Sequence, residues 1–132
     1  MKKPTQLHDL RPMLMCDDVQ KSIKFYRDLL GFEVVDRMDD VGKSGWAALK
    51  NGNARLMLAS PTYSRKTDGK YPQAVYYFYP ENVSALHASV VEKGWQASEL
   101  SVRFYGMKEF EIIDPDGHIL LFGQEPPPQK SS

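Results

Sequence analysis

The chain carries one pattern twice. Asp17-Asp18-Val19 reads against Glu81-Asn82-Val83 at an offset of 64, and Leu30-Gly31-Phe32 reads against Lys93-Gly94-Trp95 at an offset of 63. A single deletion inside the intervening segment reconciles the two. Each copy has the same grammar: a short apolar run, an acidic or amide cap, a stretch of helical period, a glycine stop, then further apolar runs. A supersecondary unit that cannot cover its own apolar surface must pack on its duplicate or on a second chain. The duplication therefore limits the fold more than any other feature of the sequence.

In the first copy Leu10 to Cys16 reads as a strand entered through Pro12, and Asp17-Asp18 supplies a helix cap. Val19, Ile23, Tyr26 and Leu30 recur on one helical face, with Lys21, Lys24, Arg27 and Asp28 on the other. Gly31 stops the helix. Strands are expected at Phe32–Asp36, Trp46–Lys50 and Arg55–Ala59, with a turn region at Asp39 to Gly45 and a tight hairpin at Asn51-Gly52-Asn53. In the second copy the strands are expected at Gln73–Tyr79, Trp95–Val102, Met107–Ile113 and His118–Phe122. A helix capped by Glu81-Asn82 carries Val83, Leu86, His87, Val90 and Val91 on one face, and Asp114-Pro115-Asp116-Gly117 is a turn. The reading is two βαβββ units: unit one at 9–60, a polar linker at 61–70 and unit two at 71–125. Residues 1–8 are an N-terminal extension and 126–132 a flexible tail.

Composition narrows the functional classes. The 132 residues hold 17 Lys+Arg and 17 Asp+Glu, a formal net charge of zero, so no basic field tracks nucleic-acid phosphates. One Cys excludes a disulfide framework within the chain and a Cys-based zinc site. No apolar run reaches the roughly 20 residues a bilayer requires, and no apolar segment follows the charged N-terminus. The expectation is a cytoplasmic protein with no membrane and no nucleic-acid partner.

The duplicated unit, the segment Asp17-Asp18-Val19-Gln20-Lys21-Ser22-Ile23-Lys24-Phe25-Tyr26 running into Leu29-Leu30-Gly31-Phe32, and Asp114-Pro115-Asp116-Gly117-His118 together resemble the vicinal oxygen chelate superfamily. That group holds glyoxalase I, extradiol dioxygenases, fosfomycin-resistance enzymes and bleomycin-resistance proteins. The resemblance covers residues 9–125. It implies an α+β fold in which duplicated βαβββ units form a curved mixed sheet around a cleft, and it implies a homodimer, side by side or with exchanged units. It does not fix the chemistry, because one fold hosts many functions.

In metal-dependent relatives four strand residues, commonly His, Gln or Glu, hold one divalent metal. Anchored on the motifs, those positions are Arg11, Met57, Val75 and Leu121. None suits a hard divalent ion, and Arg11 carries a fixed positive charge. No metal and no cofactor are expected. Strand alternation places Arg11, Met13 and Met15 on one face, with Arg55, Met57 and Ala59, then Val75, Tyr77 and Tyr79, then Ile119, Leu121 and Gly123 on the matching faces. Trp46 joins them. The expected cleft is soft and aromatic, lined by Arg11, Met13, Trp46, Arg55, Met57, Val75, Tyr77, Tyr79 and Leu121. It resembles the metal-free bleomycin-resistance branch and suits an aromatic or amphipathic organic molecule. The same residues also read as plain core, an apolar strand face being core by default.

Two other readings compete. A lyase, isomerase or dioxygenase with a displaced divalent-metal site would have to use Glu109, Glu111 or His118, although Glu109 and Glu111 also read as a solvated strand face and His118 as structural. A non-catalytic interaction module would use Tyr76 and Phe78 as anchors on the outer face of their strand. His87 reads as a satisfied, half-buried side chain, His8 as exposed, and Cys16 as a packing residue. Gly42-Lys43-Ser44 is no phosphate loop, since the upstream glycine of that pattern falls at Arg37. Asn82-Val83-Ser84 is a glycosylation sequon with nothing to indicate secretion, and Asp114-x-Asp116-Gly117 is a turn rather than a calcium loop.

Overall fold

A computed structural model describes residues 3–38, 45–61 and 64–126. The Gly42-Lys43-Ser44 motif, most of the Asp39 to Gly45 turn and the tail beyond Pro126 lie outside the described residues. In chain order the elements are β1 (Met13–Met15), α1 (Val19–Leu30), β2 (Glu33–Met38), β3 (Trp46–Asn51), β4 (Ala54–Ala59), β5 (Val75–Phe78), α2 (Val83–Glu92), β6 (Ser101–Val102), β7 (Lys108–Ile113) and β8 (Ile119–Gln124).

The caps stand where the sequence puts them. The Asp18 carboxylate accepts from the Lys21 amide at 3.2 Å, and the Asn82 side chain accepts from the Ala85 amide at 3.0 Å. Gly31 closes α1 at φ +72°, a backbone conformation that costs a side-chain-bearing residue steric strain. Each copy forms a four-stranded mixed sheet, ordered β1-β4-β3-β2 and β5-β8-β7-β6. Within each, the first strand runs parallel to the last: Met13 pairs with Met57 and Tyr77 with Leu121. The remaining pairs are antiparallel.

One apolar core joins the copies. Leu14, Leu56, Leu58, Ala47 and Leu49 from the first sheet and Phe110, Ile112, Leu120 and Phe122 from the second all point toward the helices. Helix α1 is buried on more than the single expected stripe. Ile23 and Tyr26 of that stripe are buried, and beside it Phe25 meets Trp95 (ring centroids 4.6 Å apart) and Ser22 donates to Asp116 at 3.1 Å. The Tyr26 hydroxyl donates to Asp114 at 2.7 Å, and Asp114 in turn accepts from the Asp116 and His118 amides. The carboxylate of the Asp-Pro-Asp-Gly turn thus ties the second copy to the first copy's helix.

Several expected boundaries shift. The first strand is three residues long, so Arg11 precedes it. Tyr79 falls just past the end of β5. Of the Trp95–Val102 strand only Ser101 and Val102 pair. Upstream, side chains supplement a single backbone bond from the Ser98 amide to the Glu111 carbonyl at 3.0 Å: Trp95 Nε1 donates to the Ile113 carbonyl at 3.0 Å and the Ser98 hydroxyl accepts from the Glu111 amide at 2.8 Å. Val91, expected on the apolar face of α2, is exposed. The polar segment before β5 is docked rather than free. Lys66 pairs with Asp17 at 2.6 Å and lies over the Tyr71 ring, whose hydroxyl also reaches Asp17.

Candidate functional site

Because Leu56, Leu58, Leu120 and Phe122 face the helices, strand alternation turns their neighbours to the opposite side of each sheet. Met13, Trp46 and Met57 share that helix-free face on the first sheet, and Val75, Tyr77 and Leu121 share it on the second. These six of the expected lining residues therefore fall on one kind of surface, in two halves. On the first, Met15, Ala59 and Tyr71 make a small buried cluster against which Met13 and Trp46 pack. Tyr71 was missed in the sequence because it follows a polar stretch with no periodicity. Val75 and Tyr79 on the second half remain 57% and 77% exposed.

The arginines take unequal places. Arg11 is exposed and its Nε donates to Asp9 at 2.7 Å, so it does not project from the first strand as expected. Arg55 lies in β4, close enough for its charge to act on Asp9 as well. The Arg11 hydrogen bond first, then that from the Leu10 amide, with the two guanidinium charges behind them, holds the Asp9 carboxyl below its usual range.

The most organised polar feature of the helix-free face is Glu109, only 1% exposed. Its Oε2 accepts from the Tyr77 hydroxyl at 2.6 Å, and its Oε1 accepts from the Tyr105 hydroxyl with Arg103 Nε 3.4 Å away. Burial, then the bond to Glu109, pushes the Tyr77 phenol well above its ordinary value, so it stays a donor. Gly123 pairs with Glu109 across the ladder, and a Cβ built there would lie 1.8 Å from the Tyr77 oxygen. The missing side chain is what lets Tyr77 cross to Glu109. The network also straps the Arg103-Phe104-Tyr105 turn over the sheet and leaves the Phe104 ring fully exposed. Glu111 shares this face, as its spacing implies, but is exposed.

His118 does not reach the cleft. It is buried, its Nε2 2.7 Å from the Met15 carbonyl and its ring stacked on Tyr71. Tyr76 and Phe78 are likewise not outer-face anchors. Phe78 stacks on Phe122 and Tyr76 packs against the core, because even-numbered positions of β5 face the helices. His87 is half-buried, 2.9 Å from the Ser98 carbonyl. The Cys16 thiol is buried, and desolvation pushes it up to about 12, the opposite of what a nucleophile needs.

A cavity of about 940 Å³ opens between the copies. Tyr77 and Tyr79 wall it on one side, the Asn51-Gly52-Asn53 hairpin on the other, with Phe32 and Leu86 in between. It is large enough for a drug-sized molecule. Among the described residues no three His, Cys, Asp or Glu side chains gather as a metal would require. The four positions at which metal-dependent relatives carry ligands hold Arg11, Met57, Val75 and Leu121. A cationic guanidinium, a thioether and two aliphatic groups do not fit a hard divalent ion, so no step is routed through one.

No helix of the described residues is long and apolar enough to cross a membrane. A search of curated proteins returns no match. Among solved structures the chain is similar to a glyoxalase-related enzyme from Clostridium phytofermentans (22% identity, 95% of this chain and 100% of that one, TM-score 0.73). It is similar to TnmS3, an antibiotic-binding protein from Streptomyces sp. CB03234 (17%, 92% and 100%, 0.73). It is also similar to a lactoylglutathione lyase from Agrobacterium tumefaciens (22%, 93% and 96%, 0.70). At such identities these likenesses speak for the fold. The sequence profile that matches residues 10–122 is that of the Glyoxalase/Bleomycin resistance protein/Dioxygenase superfamily, and the chain belongs to that superfamily.

Proposed function

We propose that this protein is a metal-free binder of a small aromatic or amphipathic organic molecule. The observation that carries the reading is the lining of the helix-free sheet faces: Met13, Trp46 and Met57 on one sheet, Val75, Tyr77 and Leu121 on the other, with Tyr79 at the rim and Arg55 as a polar edge. Thioether and phenol groups adapt to flat ligands, and Tyr77 is held in place by Glu109. The likeness to an antibiotic-binding protein points the same way. A catalytic role for Glu109 draws no support from its setting, since both of its oxygens already accept bonds from Tyr77 and Tyr105.

Thermal shift against a panel of aromatic drugs and metabolites tests this. A ligand at about 100 times its Kd stabilises by about 2.7 kcal/mol, a rise of several degrees for a domain this size. Met57→Glu should abolish the rise while leaving the unliganded fold intact, and a chelator should change neither. Stabilisation that requires added divalent metal, or that survives Met57→Glu, would overturn the reading.

A further inference from the structure

A second concave feature lies on the other side of the molecule, away from the sheet faces. It is a groove of about 520 Å³ along the outer side of α1, and its floor is apolar: Phe25, Trp95 and Pro115. Three ammonium groups, those of Lys21, Lys24 and Lys93, stand along it. We infer that this groove binds planar aromatic anions, such as aryl carboxylates, sulfonates or phosphates, with the ring on Trp95 and the acid group among the lysines.

The site is built rather than incidental. Trp95 is fixed by its Nε1 bond to the Ile113 carbonyl and by the Phe25 ring against it, so the stacking surface pre-exists. Lys93 is fixed as well, its Nζ donating to the Asp28 carbonyl at 2.8 Å at the end of α1. Lys21 and Lys24 come one turn apart on the helix, on the same side as Phe25. Neither makes an ion pair among the described residues. The one carboxylate at the groove, Asp28, is already paired with Arg27 at 3.0 Å. Its hydrogen bond to Arg27, with the charges of Arg27, Lys24 and Lys93 behind it, holds its carboxyl below the usual range. One carboxylate thus stands against Arg27, Lys21, Lys24 and Lys93, which leaves a local excess of positive charge in a chain whose overall charge is zero. A local excess of positive charge beside a rigid aromatic floor recognises an anion with a flat apolar body.

The inference is independent of the proposed function and is tested by titrating the full chain with 2-naphthoate under two-dimensional ¹H–¹⁵N NMR. The chain has only two tryptophans, so the Trp95 indole signal is separable from that of Trp46. Saturable shifts of the Trp95 indole and of the Phe25 and Lys93 amides are expected. The neutral isostere 2-naphthalenemethanol should bind at least about tenfold more weakly, and so should 2-naphthoate to K21E/K24E, two rim charges together being worth about that factor. The double variant sits on exposed positions, and its own amide spectrum reports whether it is folded. Shifts confined to β4, β5 and β8, equal binding of the neutral isostere, or no Trp95 shift up to about 5 mM, where a complex of millimolar Kd is mostly formed, would each overturn it.

Discussion

At Gly123 a missing side chain determines where a neighbouring one lies. The Tyr77 ring crosses the space a Cβ would fill, and its hydroxyl is the nearest atom. A methyl there meets the far end of a flexible side chain, so Tyr77 swings out rather than the backbone giving way. Glu109 then loses one donor while staying buried. Gly123→Ala should cost about 1–3 kcal/mol in urea denaturation, the penalty for a buried acceptor left short of a partner. Tyr77→Phe should cost a similar amount, and the two together little more than either, because both remove the same bond. Full additivity in the double variant would show that the glycine serves something other than Tyr77. At Cys16, burial raises the thiol from 9.0 to about 12. Between those values the unfolded chain has lost a proton that the folded one keeps, so stability falls as pH rises through that window. At pH 10 the loss is of order 1 kcal/mol. Urea midpoints for the parent chain and for Cys16→Ala, taken at pH 7.5 and pH 10, should show the smaller decline in the variant. An equal decline would place the effect on the tyrosines.

The elements were legible in proportion to how locally each is determined. Asp18 and Asn82 cap their helices through side-chain bonds three residues on, and Gly31 ends α1 with its own backbone, so both helices could be read from their termini. Alternation placed Met13, Met57, Tyr77 and Leu121 on one kind of face because Leu56, Leu58, Leu120 and Phe122 had to reach the core. What failed was non-local. Trp95 looks like the first residue of a strand, yet its indole bonds to Ile113 and its ring packs on Phe25 of the other copy. Phe25 itself lies outside the stripe that Val19, Ile23, Tyr26 and Leu30 define, because α1 serves two sheets and a single-stripe reading allows it one. Tyr105 and Tyr71 join the helix-free face from a turn and from a polar stretch, where no period exists to announce them. Arg11 shows the opposite error, since its spacing from the Asp18 cap matched the family's position while the strand begins two residues later.

For the molecule as a whole, the two faces of each sheet differ in what covers them. Helices cover one face of both sheets, whereas the other presents Val75, Tyr79, Ile113 and Met38 at 45% exposure or more, with Phe104 fully exposed beside them. Large apolar side chains left exposed on a sheet face suit an interface. Within one chain the two open faces are turned away from the shared helical core, and among the described residues Tyr71 covers part of the first. A second copy related by a two-fold axis could set the first sheet's methionines against the other chain's tyrosines, giving a cleft lined from both halves. Light scattering at micromolar concentration should therefore report twice the chain mass. Tyr79→Arg, a substitution at a position with little to lose in the monomer, should shift the equilibrium to single chains and weaken ligand-induced stabilisation at the same time, since the cleft would lose its second wall. A monomer that still binds with undiminished affinity would assign the whole site to the cavity between the copies of one chain, bounded by Tyr77, Tyr79 and the Asn51-Gly52-Asn53 hairpin.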